Sequence, residues 1–177
     1  NTTMGQTQEQ VDVAYTDDIF VGYRYYDKHD LPVKYPFGFG LSYAKFEYSD
    51  LKIEKTVDTD YVVSYKVKNI SEIGGSEVSQ VYVREVVPLV ARPIKELKGF
   101  SKDYLAAGDE KIVKIKFDYS SFAFFSTAYD KWFVENGLFE ISVGASSRDI
   151  RLKEAVTIEL PEEYQPSRNR MDSMIGD

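Results

Sequence analysis

The sequence predicts an all-β protein, a two-sheet antiparallel sandwich with an irregular N-terminal connector. Three observations carry this. From Ala44 onward apolar residues recur with a period of two, which puts them on one face of a strand. Turn sequences interrupt these runs at short intervals. The 177 residues include 14 Tyr and 11 Phe against one Trp, a composition suited to the half-buried faces of sheets.

The alternation is explicit in four runs. Tyr61, Val63, Tyr65 and Val67 fall on one face, with Ser64, Lys66 and Lys68 on the other. Val113, Ile115 and Phe117 alternate with Lys114 and Lys116, and Phe139, Ile141 and Val143 with Glu140 and Ser142. Val156, Ile158 and Leu160 alternate with Thr157 and Glu159. One-sided burial of this kind marks antiparallel sheets. Gly74-Gly75, Gly108-Asp109 and Asn136-Gly137 supply turns between the runs. The reading is seven or eight strands in two sheets, near 45–56, 61–70, 77–87, 95–104, 110–118, 128–134, 138–145 and 150–160. Residues 120–126 (Ser-Ser-Phe-Ala-Phe-Phe-Ser) read as a short helical turn or a corner packed under the sandwich. The predicted core is Tyr65, Val67, Val81, Val83, Val113, Ile115, Phe117, Ile141 and Val143.

Composition narrows the functions. With 43% apolar residues the chain can bury one solid core. A net charge of -7 argues against nucleic acid and against an anionic membrane surface, both of which call for a basic patch. No apolar run approaches the roughly 20 residues of a membrane-spanning helix, and residues 1–10 lack the apolar stretch of a signal peptide. The absence of cysteine excludes disulfides and thiolate metal sites, and leaves the compartment open. His29 is the one histidine and cannot form a metal site alone, so no metal or cofactor is expected.

Residues 1–43 differ in texture from the rest. Gly22, Gly38, Gly40, Pro32 and Pro36 punctuate an aromatic cluster without a sustained period, so this segment reads as a connector. Residues 44–160 form the sandwich, and 161–177, with Pro166, Arg168 and Arg170, read as a tail or linker.

The run 21–27 (Val-Gly-Tyr-Arg-Tyr-Tyr-Asp), followed by 35–43 (Tyr-Pro-Phe-Gly-Phe-Gly-Leu-Ser-Tyr), resembles a junction found in family 3 β-glucosidases. The likeness continues through 67–69 (Val-Lys-Asn), 75–83 (Gly-Ser-Glu-Val-Ser-Gln-Val-Tyr-Val), 92–100 (Arg-Pro-Ile-Lys-Glu-Leu-Lys-Gly-Phe) and 107–109 (Ala-Gly-Asp). It closes at Gly137, Gly144 and Ser146-Ser147. The resemblance implies an immunoglobulin/fibronectin type III-like sandwich over 44–160, with 1–43 closing the enzyme's α/β sandwich domain. It also implies partners: the catalytic barrel and α/β sandwich domains of the whole enzyme.

Retaining glycosidases place two carboxyl groups about 5–5.5 Å apart. The resemblance implies that the nucleophilic Asp sits in a Ser-Asp-Trp setting on the barrel and the acid/base Glu upstream of the junction. Ser49-Asp50-Leu51 and Asp130-Lys131-Trp132 do not reproduce that motif, so no catalytic residue is assigned within this chain. Lys28-His29 reads as a solvated turn. Asn69-Ile70-Ser71 matches the glycosylation triplet, but Asn69 has a sufficient role opening a turn.

Three functions follow. The first is a non-catalytic accessory region of a family 3 glycoside hydrolase whose parent hydrolyses β-D-glucosides with retention. The second is an independent carbohydrate-binding or adhesion module, which a coplanar exposed row of Tyr or Trp would favour. The third, a hydrolase using an unrecognised carboxylate pair, rests only on the abundance of acids. The residues expected to dock between domains are Phe20, Tyr23, Tyr25, Tyr26, Phe37 and Phe39. Freed from that setting, the connector should fold back on the sandwich or drive a homo-oligomer.

Overall fold

The computed structural model describes residues 18–57, 59–127 and 129–164. The expectations placed on the first 17 residues and on the tail beyond residue 164 lie outside them. Among the described residues, a short helix α1 (Tyr23–Lys28) precedes nine strands. These are β1 (Phe46–Val57), β2 (Asp60–Asn69), β3 (Gly75–Glu85), β4 (Glu96–Leu105) and β5 (Glu110–Phe117), then β6 (Phe124–Ser126), β7 (Lys131–Phe133), β8 (Gly137–Gly144) and β9 (Ile150–Ile158). A three-stranded sheet has the order β1-β2-β5 and a four-stranded sheet the order β4-β3-β8-β9. All paired neighbours are antiparallel.

The two sheets bury the faces that the alternation marked. Tyr61, Val63, Tyr65 and Val67 of β2, with Val113 and Phe117 of β5, meet Val81 and Val83 of β3 and Phe139, Ile141 and Val143 of β8. Ile115 is the one predicted core residue that is only partly buried. It sits where β4 crowds the other sheet: a Cβ on Gly99 would lie 2.7 Å from Ile115 Cγ2, so only glycine allows this approach. Across the core the Tyr65 hydroxyl and Ser79 Oγ are 2.6 Å apart, so the buried phenol is satisfied. Burial pushes its pKa up to about 12.

Three details depart from the sequence reading. The strand expected at 128–134 shortens to β7, which pairs with β6 as a separate two-stranded ribbon. Residues 120–126, read as a helical turn or a packed corner, form a 3-10 turn, capped by Asp118 Oδ1 accepting from the Ser120 N–H at 3.0 Å, and then a strand that was not expected, β6. Between them Phe122, fully buried, packs edge-on against Tyr61, Phe117 and Phe139 and closes the end of the core. The connector, read as irregular, contains α1.

Asp50, noted for its sequence setting, has a structural role. One extra residue in β1 between Ser49 and Lys52 breaks the pairing with β2, and Asp50 carries the left-handed conformation there at φ 57°. The bulge reverses which residues face inward, so Phe46 and Tyr48 are buried before it and Leu51 and Ile53 pack inward after it. Ser49 Oγ and Lys66 Nζ hold the Asp50 carboxylate and keep it below the usual aspartate range.

Asn69 ends β2 fully buried. Its Nδ2 donates to the carbonyls of Ile73 at 2.8 Å and Leu105 at 3.1 Å, and its Oδ1 accepts from the Ser71 N–H at 3.0 Å. Asn69→Ala strands these buried backbone groups and should destabilise the fold by about 1–3 kcal/mol. Urea unfolding should show a lower midpoint without a change of slope.

Candidate functional site

The site begins with an anomaly on the outer face of the four-stranded sheet. Alternation should leave that face in water, yet Gln80 and Tyr82 of β3 are 3% and 0% exposed. The connector covers them. Tyr82 donates its hydroxyl to Gln80 Oε1 at 2.6 Å, and Gln80 Nε2 donates to the carbonyls of Gly38 at 3.0 Å and Ala145 at 2.9 Å. Gly38 has φ 78°, and a Cβ there would collide with the Gln80 carboxamide. Glycine is required on both counts. Burial holds the Tyr82 phenol well above its ordinary range.

Around this centre the connector is fastened by charge. Asp27 on α1 accepts from Lys95 Nζ at 2.6 Å and from Arg148 Nε at 3.2 Å, with its side chain 9% exposed. Arg148 Nη2 also donates to the carbonyl of Leu31 at 2.8 Å. Arg24 Nη2 meets Glu96 Oε1 at 3.1 Å. Two backbone contacts complete the seam: the Leu97 N–H donates to the Tyr23 hydroxyl at 2.9 Å, and the Ser147 N–H to the Phe37 carbonyl at 2.8 Å.

The six aromatics singled out from sequence divide between two roles. Tyr23 turns inward, stacked on Phe37 at 4.6 Å and edge-on to Tyr82 at 6.2 Å. Phe20 is half-buried beneath Lys28, whose Nζ lies 3.4 Å from the ring centroid. Tyr25, Tyr26, Phe37 and Phe39 keep more than two fifths of their surface in solvent. They extend into Tyr35, Leu41 and Tyr43, of which the last two are almost wholly exposed. His29 packs against Tyr25 on the exposed side, as expected of a turn residue.

Sequence reasoning missed Gln80, Tyr82, Asp27, Lys95 and Arg148. The available signal was in β3, where the bulky Gln80 and Tyr82 fall on the outward-facing positions between Val78 and Arg84. The exposed rings do not form a flat platform. Tyr35 and Phe39 are tilted by 39°, Tyr25 and Tyr26 by 88°, and Phe125 and Trp132 on the β6-β7 ribbon by 70°.

Comparison with known proteins places this arrangement. Residues 77–147 match the fibronectin type III-like domain family. The chain is 48% identical over 149 residues to thermostable β-glucosidase B of Acetivibrio thermocellus, covering 82% of this chain and 20% of that one. It is 44% identical over 158 residues to an exo-α-(1→6)-L-arabinopyranosidase of Bifidobacterium longum, covering 89% of this chain and 21% of that one. The crystal structure of a family 3 β-glucosidase from Bifidobacterium adolescentis superposes with a TM-score of 0.77 at 37% identity, over 90% of this chain and 25% of that one.

This chain matches the fibronectin type III-like region of family 3 β-glucosidases. It spans about a fifth of the length of the curated relatives it matches.

Asp27 is the fastening whose loss is most legible. Asp27→Ala leaves Lys95 and Arg148 without their carboxylate, a penalty on the order of 1–3 kcal/mol confined to the connector. Limited proteolysis should then cut within residues 20–40 faster than in the unmodified chain, while the sandwich remains resistant.

Proposed function

We propose that this chain steadies the catalytic part of a β-glucosidase-type enzyme, and that the outward half of its connector is the surface that docks there. Residues 1–43 are then the end of the α/β sandwich domain, 44–160 the fibronectin type III-like domain and 161–177 a tail or linker. The docking partners are the barrel and the α/β sandwich domain.

The observation that carries this is the two-sided connector. Tyr23, Asp27 and the Phe37 and Gly38 carbonyls hold it to the sheet, while Tyr25, Tyr26, Tyr35, Phe39, Leu41 and Tyr43 face away. A large aromatic ring buries about 150–250 Å² when covered. Several left open together exceed the apolar patch of about 300–600 Å² usual on a monomer. A rigid apolar face of that size, supported from below, suits a permanent neighbour. The tilted rings give a sugar-binding platform no comparable support.

Activity is assigned to the whole enzyme. The isolated chain should hydrolyse no aryl β-glucoside above background, whereas the complete enzyme does so with retention of configuration, followed by NMR of the first-formed anomer. Turnover by the isolated chain, abolished by replacing one of its carboxylates, would overturn the accessory reading.

The docking face has its own test. Light scattering should show the isolated chain self-associating, a form beginning at Ala44 remaining monomeric, and Tyr26→Ser with Phe39→Ser behaving like the shortened form. In the complete enzyme the same pair of substitutions should lower the temperature at which activity is lost by several degrees, corresponding to about 1–3 kcal/mol.

A further inference from the structure

Away from the connector, two acidic side chains meet inside the protein. Glu85, at the end of β3, and Glu135, between β7 and β8, are 8% and 5% exposed, and their carboxyl groups are within hydrogen-bonding reach of each other. Glu85 Oε2 accepts from Arg92 Nη1 at 2.6 Å. Glu135 Oε2 accepts from the Leu89 N–H at 3.0 Å. Glu135 Oε1 is buried and receives no donor. Two carboxylates in contact in a buried site cannot both ionise at modest cost. A proton on one of them supplies the donor that Glu135 Oε1 lacks.

We propose that Glu85 and Glu135 share one proton, forming a carboxyl–carboxylate latch that straps residues 86–95 to the end of the sandwich and loosens when the proton leaves in alkaline solution. The pair holds the middle of the strap at two points, Leu89 and Arg92. Arg92 also donates to the carbonyls of Phe122 at 3.0 Å and Ala123 at 3.3 Å, so the strap reaches the turn that closes the core.

The surrounding charges leave room for one negative charge on the pair. Arg92 is the cation in direct contact with it, and Arg92 Nη2 also reaches Glu96 at 3.4 Å. Glu96 in turn holds Arg24 at 3.1 Å and Lys98 at 3.7 Å. From β8 the residue opposite Glu85 is the uncharged Phe139.

Burial first, then the contact with Glu135, pushes the Glu85 carboxyl up to about 8, while Arg92 pulls it down. The folded state therefore binds more protons than the unfolded chain between the ordinary glutamate range and about pH 8. The latch contributes fully below that window and is lost as pH rises through it, the unfolding constant increasing by up to about tenfold per pH unit. Lys98 is held below its ordinary range by burial and gives a slope of opposite sign. Asp50, Asp103 and Asp149 are lowered and act on the acid side.

The test is urea unfolding of this chain from about pH 5 to about pH 9, a range that brackets these values, beside Glu135→Gln. The glutamine amide supplies a donor without a charge, so the loss of stability expected in the unmodified chain as pH rises toward about 8 should flatten in the variant. An unchanged slope in Glu135→Gln would overturn the proposal. Should that variant fail to fold, infrared spectroscopy of the unmodified chain decides: a protonated buried carboxyl band at neutral pH that disappears in alkali supports the latch, and its absence at neutral pH refutes it.

Discussion

The Gln80 carboxamide ties this structure together on its functional side. It accepts the Tyr82 hydroxyl and donates to two backbone carbonyls, one from the connector at Gly38 and one from the β8-β9 turn at Ala145. A buried amide left unpaired costs more than the bond itself contributes, so the connector must lie where it satisfies that group. Once the backbone passes Gly38 at that height, Phe37 stacks on Tyr23 and Tyr23 covers Tyr82. Beyond Gly38, Phe39, Leu41 and Tyr43 then point outward before Ala44 enters the core.

The connector is therefore held by polar contacts and presents apolar ones. The Asp27, Lys95 and Arg148 cluster and the Arg24–Glu96 pair lie at its seam with the sandwich, whereas Phe39, Leu41 and Tyr43 face away. Charged pairs fix orientation because their geometry is demanding. Apolar rings supply area with little directional demand, which suits contact with a second domain. A loose connector could bury its rings in many ways, and this one has a single way open.

The sandwich gives that surface a stable base. The bulge at Asp50 lets β1 contribute inward side chains on both sides of an irregularity, and Phe122 seals the end of the core beside the 86–95 strap. These features lie at breaks in the ladders or in the loops between strands, where backbone groups unpaired by the sheets must find side-chain partners. Asn69, Asp118 and Glu135 each meet such a need.

Local pattern was enough to read the sheets. Period-two runs at 61–67, 113–117 and 139–143 specify which side chains face inward, because a strand offers only two faces and one was consistently apolar. The wealth of aromatics in residues 20–43 likewise marked the connector as a surface that something must cover. What the pattern could not reveal was which rings are covered within the chain and which are left open. That depends on Gln80 meeting Gly38 across 42 residues and on Arg148 meeting Asp27 across 121. The meeting of Glu85 with Glu135 is of the same kind, since neither residue carries a local sign of the other. Contacts between distant positions follow from how the two sheets and their end loops pack, and periodicity reports only on neighbours along one strand.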